Sequence, residues 1–527
     1  MKTVKFVGWI GLFLLVLGVV FAQQTCVYWH RGSLLAGAQG DAPLHYFMEL
    51  VQLNPAIGVN DLIVRTVKDL GYYENTYRMI CWMVRGSGLS LLSVNLLLCW
   101  MANGLYLLGV FLLLRWLGLT AWSCALGTLL AGQYYALLGG VASAMAHTLV
   151  IPRDQWVWPL PWLLWWFVAR KRERFELVLF YGVIGAVWTM TYPLWAVMCG
   201  LAFGVVDVWS SLRSGKYFRL WWLIVAAVVC GGFLLAPSMK MLHLSVFRNQ
   251  SSAMASQQSI ALFAPTPKHS IFWDKSFRRL LLFAIAGVMS FRFLRGDMRD
   301  RTETRGLLWQ LLVVAMLICA VHEPLQRLAP VATLLFLGRA SLLVYLVAVL
   351  GVVLCLEQRF RGFSKWGKTL AALALAYWCV YPVQKLCELR RMDRLSVRTD
   401  YIEFARMVRE KTKTEALLVV PPARESCFFR VYAERGLWAD PGDFVCSTEQ
   451  LVVFKRERVD KLERFYAATT PTVDRECVLG ELRAEGVSYV VTQSASPWTA
   501  SLSWPVLLEH RGWQLRSLPS EGSGTGL

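Results

Sequence analysis

Apolar runs recur along the first three quarters of the chain, separated by short polar punctuation. The first lies between Lys5 and Ala22, and a long polar gap follows it. Further runs fall at about 91–114, 118–140, 156–169, 176–190, 193–209, 220–236, 279–295, 306–321, 341–356 and 366–384. About 20 apolar residues cross the hydrocarbon core of a bilayer as a helix. The pattern therefore predicts a polytopic α-helical membrane protein with about 11 transmembrane helices. The pair around Thr189–Trp195 (TMTYPLW) can also be read as one broken helix. Leu328–Leu337 is too short to span and reads as a re-entrant or interfacial helix.

From about Lys385 the pattern changes to that of a soluble domain. Asp400–Lys413 carries Ile402, Phe404, Ala405 and Val408 at helical spacing, and Ala416–Val420 (ALLVV) reads as a buried strand. A strand near 430–438, helices near 448–466 and 473–485, and a strand at 487–492 follow. This alternation predicts a small C-terminal α/β domain with a partly parallel sheet. The expected organisation is a transmembrane domain over 1–384 with a first outer loop at 23–90. A periplasmic α/β domain follows at 385–516, and a Gly/Ser-rich disordered tail at 517–527.

Composition supports this division. The chain has 527 residues and is 56% hydrophobic, with 24 Trp and 18 Tyr that suit interfacial belts. Its net charge of +19 raises the question of nucleic acid. From Lys385 onward, however, 21 Lys+Arg face 20 Asp+Glu, and the excess of 33 over 15 lies in the membrane part. There it gathers in short loops such as Arg170–Arg174 (RKRER) and Arg213–Arg219. That is the positive-inside pattern, so no nucleic-acid partner is expected. It orients the first loop, the stretches 141–155, 237–278 and 322–339, and the C-terminal domain to the outer face. Met1–Ala22 resembles a signal peptide, but with so many later spans it reads as an uncleaved first helix. The 13 Cys show no metal-binding spacing. Cys427, Cys446 and Cys477 could pair if their domain faces an oxidising compartment.

Candidate chemistry concentrates on the outer face. Asp41, with His45 and Glu49 one and two turns on, could take a proton from an attacking hydroxyl or bind a metal, or could cap a helix. Asp61 reads first as a helix cap. Arg153 and Asp154 lie where the chain re-enters the membrane, and an arginine there can grip a lipid phosphate through paired donors or anchor a helix end. Arg339 is flanked closely by apolar residues, which favours a cavity or a partner. His322 and Glu323 form a second polar group on the same side. Arg430 and Arg435 flank the strand expected near 430–438 and could face the membrane part; the plainer reading is a packing domain. No P-loop, GxGxxG, GxSxG or HExxH pattern occurs, which removes support from nucleotide hydrolysis and the common soluble hydrolases.

Several stretches together resemble the polytopic glycosyltransferases of the GT-C fold, in a bacterial branch with a soluble C-terminal domain. They are GDAPLHYF and NPAIGVNDLIVRT in the first loop, IPRDQWVWPLPW, LGRASLL, and in the last domain DYIEFARMVREKTKTEALLVVPP and FFRVYAERGLWAD. The resemblance covers nearly the whole chain as scattered short motifs. It implies a polyprenyl-phosphate-linked sugar as donor, with Asp41 as base or ligand of a divalent metal ion, and Arg153 and Arg339 at the donor phosphate. Many members carry a second acid directly beside the first, whereas Gly40 and Ala42 flank Asp41. The expectation is thus a multi-pass enzyme of the bacterial inner membrane that moves a sugar to a glycan, lipid or protein acceptor in cell-envelope synthesis. A lipid or solute transporter and a catalytically inactive assembly factor are the competing readings. Transport is disfavoured because no repeat is visible and the ionisable residues gather at the outer surface.

Overall fold

The computed structural model describes residues 8–21, 42–61, 74–132, 156–169, 174–189, 193–242, 275–293, 302–328, 340–360, 398–422, 426–439, 449–467, 469–496 and 504–518, with positions 64, 369, 373, 376, 377, 499 and 502. Two compact units form. One comprises Met1–His30 and Asn95–Leu386, the other Arg31–Val94 and Cys387–Leu527. The segment 31–94 thus folds with the C-terminal domain, far away in sequence.

The first unit is a set of apolar helices. Four contain stretches long and apolar enough to cross a membrane: Leu91–Trp116, Trp195–Arg213, Glu303–Val321 and Ser341–Arg359. Six further apolar helices are described over Gly8–Phe21, Ala121–Gly132, Pro159–Ala169, Phe175–Thr189, Tyr217–Leu242 and Lys275–Phe293. The chain is a multi-pass membrane protein. The first four are the helices that meet both the length and the hydropathy of a span among the described residues, and the expected run at 366–384 lies almost wholly outside them. Around TMTYPLW the helices Phe175–Thr189 and Pro193–Arg213 are described, and 190–192 lie outside the described residues.

Two expected loop boundaries move. The helix Thr302–Leu328 continues through the polar residues from His322, where a turn was expected, and Tyr217–Leu242 continues past 236. Hydropathy marks where an apolar run ends, whereas a helix ends only where its backbone bonding stops. The stretch 329–337, expected to be re-entrant or interfacial, lies outside the described residues.

Glycines let these helices approach closely. A Cβ on Gly287 would sit 2.8 Å from Ala348 Cα, and one on Gly185 would sit 3.2 Å from the Cys230 backbone. Close approach at small residues is how helices associate where lipid removes the hydrophobic drive. Polar latches add to this. Asp207, fully buried, accepts from Tyr181 Oη at 2.9 Å and from Arg219 Nη2 at 2.8 Å. Glu357 accepts from Thr120 Oγ1 at 2.9 Å and from Ser123 Oγ.

The second unit is built on a five-stranded sheet in the order β2-β1-β3-β5-β4. Strands β1 (Leu417–Val419), β2 (Gly436–Leu437) and β3 (Val487–Gln493) pair in parallel, as expected. Strands β4 (Val506–His510) and β5 (Trp513–Ser517) add an antiparallel hairpin that the sequence pattern did not announce. Arg511 and Gly512 turn it with φ of +47° and +84°, the conformation a two-residue hairpin loop demands. The expected tail therefore begins at the last residue of a strand, and 519–527 lie outside the described residues. Alternation along β1 sends Leu417 and Val419 to one face with Trp438, Phe465 and Leu482, and Leu418 to the other with Phe404 and Phe429. Helices Glu449–Tyr466 and Thr472–Ala484 cover the first face, Arg398–Lys411 and Ser426–Ala433 the second.

The strand expected near 430–438 is a correction. Ser426–Ala433 is a helix, and only Gly436–Leu437 forms strand. A short apolar run with an arginine inside it fits either period, and packing of Phe429 and Ala433 on the sheet decides for helix.

Candidate functional site

The segment 31–94 contributes two helices to the second unit. Ala42–Leu53 begins directly after Asp41, and Glu74–Ser87 precedes the apolar helix Leu91–Trp116. The second was missed, although Tyr77, Ile80, Cys81 and Val84 mark one face at helical spacing. His45 Nδ1 meets Tyr77 Oη at 2.6 Å and joins the two helices. Cys81 Sγ donates to the Glu49 carbonyl at 3.5 Å, and burial first, then Glu49, pushes its thiol up to about 11. Burial, then Glu49 and Glu434, also pushes the Tyr46 hydroxyl well above its ordinary value.

Asp61 stands at the centre of the unit. Its Oδ2 accepts from Arg430 Nε and from the Leu437 backbone N–H, each at 2.9 Å. Asp61 and Arg430 side chains are each 1% exposed. The sequence suggested a local helix cap, a reading that falls on a stretch mostly outside the described residues; the carboxylate also reaches a partner 369 residues along the chain. The Arg430 guanidinium also lies 5.4 Å from the Phe47 ring centre. Asn60 Nδ2 donates to the Glu415 carbonyl at 3.1 Å. Gly436 permits the approach, since a Cβ there would sit 3.2 Å from Asp61 Cβ. Gly58, at φ +66°, turns the chain beside Phe47 and Val64.

Arg435 has a different task. Its Nη2 donates to the carbonyls of Arg409 and Thr412 at 2.7 and 2.6 Å, which satisfies the open end of the Arg398–Lys411 helix. Both arginines thus hold this unit together, as the packing reading expected.

Of the residues singled out in the sequence, His45, Glu49, Asp61, Arg430 and Arg435 lie in the second unit, with His45 against Tyr77 and Asp61 against Arg430. Asp41, Arg153, Asp154 and Arg339 lie outside the described residues. His322 and Glu323 lie on the Thr302–Leu328 helix, and their side chains are not among those described. Among the described residues no three His, Cys, Asp or Glu side chains gather to hold a metal ion. Cys477 is a free, exposed thiol; Cys427 lies on the Ser426–Ala433 helix and Cys446 outside the described residues. Arg430 was not foreseen as a partner of Asp61, nor Phe47 as a neighbour of Arg430.

No protein-family model and no curated protein matches the sequence. Among solved structures, the chain is similar to an oligosaccharyltransferase of Archaeoglobus fulgidus tethered with an acceptor peptide. The identity is 13% and the TM-score 0.49, over 92% of this chain and 69% of that one. It is also similar to ArnT from Cupriavidus metallidurans bound to undecaprenyl phosphate, at 14% identity and a TM-score of 0.42, over 98% and 99% of the two chains. Both are glycosyltransferases of the GT-C class, which the sequence motifs resemble. TM-scores below 0.5 carry no residue role and no reaction from those proteins to this chain.

Proposed function

We propose that the chain is a membrane glycosyltransferase that moves a sugar from a polyprenyl-phosphate donor to an acceptor on the outer face of the membrane. One observation supports this most. Four of the motif stretches that carry the GT-C resemblance, scattered along the sequence, converge on Asp61. Phe47 of GDAPLHYF lies against Arg430 of FFRVYAERGLWAD, Arg430 holds Asp61 of NPAIGVNDLIVRT, and Asn60 reaches Glu415 of the stretch ending in ALLVVPP. Chance likenesses would have no reason to meet.

In the proposed reaction, Asp41 takes the proton of an acceptor hydroxyl as its oxygen attacks the anomeric carbon. The bond from that carbon to the phosphate oxygen breaks, and the polyprenyl phosphate leaves with the electron pair. Arg153 and Arg339 neutralise the growing negative charge, where electrostatic stabilisation lowers the barrier most. The sugar and the acceptor are not specified by this chemistry.

Transfer of radiolabelled sugar from polyprenyl-phosphate donors to a membrane extract tests the reading. Asp41→Asn is expected to abolish transfer while the protein still folds. A fully active Asp41→Asn protein would sink the proposal.

A further inference from the structure

The Glu74–Ser87 helix has two unlike faces. Tyr77, Ile80 and Cys81 are buried within the second unit. Arg78, Trp82 and Arg85 are exposed, Trp82 by 75%. At 100° per residue these three project within about 60° of one another and form one stripe. The helix holds no acid after Glu74. Exposed Leu89 follows, and after Ser90 the apolar helix Leu91–Trp116 begins. Ser87 and Leu91 are four residues apart, at most roughly 14 Å along an extended chain. The stripe therefore ends only a few residues along the chain before an apolar helix long enough to cross a membrane.

We propose that the Arg78–Trp82–Arg85 stripe is a binding surface for the anionic headgroup layer of the bilayer. A tryptophan between two arginines suits that layer. The indole is amphipathic and settles at headgroup depth, while guanidinium groups pair with phosphate through forked hydrogen bonds. Arg85 Nη2 already donates to the Gln52 carbonyl at 3.4 Å, which ties its orientation to the Ala42–Leu53 helix, and the residue stays exposed. The surface would settle the whole second unit onto anionic lipid, independently of any donor sugar.

Photo-crosslinking of the full chain in nanodiscs tests this. p-Benzoylphenylalanine is placed at Trp82 or at Val473, which is equally exposed in the same unit at 75%. The expected result is a lipid adduct at position 82, enriched in phosphatidylglycerol over phosphatidylcholine, and little at 473. In an Arg78→Gln, Arg85→Gln background the adduct should persist and its phosphatidylglycerol preference should fall severalfold. Hydrogen exchange across Tyr77–Cys81 checks that the helix is intact in each variant. No lipid adduct at 82, equal yields at both positions, or a preference unchanged in the double variant would overturn the proposal.

Discussion

The two units solve the same packing problem by different means. In the apolar unit, helices meet through glycines, as where Gly287 lies against Ala348, and a few buried polar latches such as Asp207 with Tyr181 and Arg219 fix their register. In the second unit, a sheet with helices on both faces supplies the core, and a fully buried ion pair fastens a remote segment to it. Lipid offers no gain for burying one apolar surface against another, so shape and hydrogen bonding must do the work there. A water-facing unit can build its core on the hydrophobic effect and use charge for addressing.

The largest effect that would break this comparison lies at Asp61. Asp61→Asn leaves the Arg430 charge buried without its counter-ion and should cost the second unit about 3–5 kcal/mol. Hydrogen exchange should show the Ala42–Leu53 helix and β2 opening together, with the apolar helices unchanged. A uniform loss of protection across both units would contradict the separate fastening. Arg430→Met combined with Asp61→Leu should cost much less than either change that strands a charge.

Next comes the apolar unit. Gly287→Leu forces a side chain into the Ala348 backbone and should cost about 1–3 kcal/mol or more. Thermal unfolding in detergent should fall accordingly, while protection within the β1–β3 ladder persists. Tolerance of leucine at this position would mean that the close approach is not what holds these helices.

A smaller effect sharpens the account of the first outer segment. With its thiol pushed up to about 11, Cys81 should be thiolate to only about one part in a thousand at pH 8. Exposed Cys477 should react with a maleimide quickly, and Cys81 only when the Glu74–Ser87 helix opens. Equal labelling of both would place Cys81 outside the packed face.

The smallest effect concerns pH. Burial, opposed by Arg409 and Arg435, leaves Glu434 titrating above its usual range. A carboxyl whose folded value is raised favours the folded state when protonated. Its contribution is present below the ordinary carboxylate range and is lost as pH rises through the raised value. Glu434→Gln should flatten that part of the stability profile, read from the unfolding midpoint between mildly acidic and neutral pH. An unchanged profile would remove Glu434 from the account.

Much of this fold was legible because it rests on local periodicity. The long apolar runs, the Arg398–Lys411 helix, and the strands β1 and β3 all follow from spacing along the chain. The Ser426–Ala433 helix was not, since eight residues with Arg430 among them fit two periods. The β4–β5 hairpin was missed because its turn, Arg511–Gly512, lacks the common Asn-Gly or Asp-Gly signal. The Asp61–Arg430 pair was beyond reach for another reason. Nothing in either neighbourhood encodes a partner 369 residues away, and an acid after a turn has an adequate local explanation as a cap. Asp41, Arg153 and Arg339 rest on the motif likeness, and the two arginines also on their places beside apolar runs.

Donor binding tests the central claim most directly. Purified protein in lipid nanodiscs would be titrated with a panel of polyprenyl-phosphate sugars, with wild type compared against Arg339→Ala and Asp41→Asn. A glycosyltransferase that uses these residues as proposed should bind donor, lose it with Arg339→Ala and keep it with Asp41→Asn. Failure of wild type to bind any such lipid, or binding indifferent to Arg339, would contradict the account.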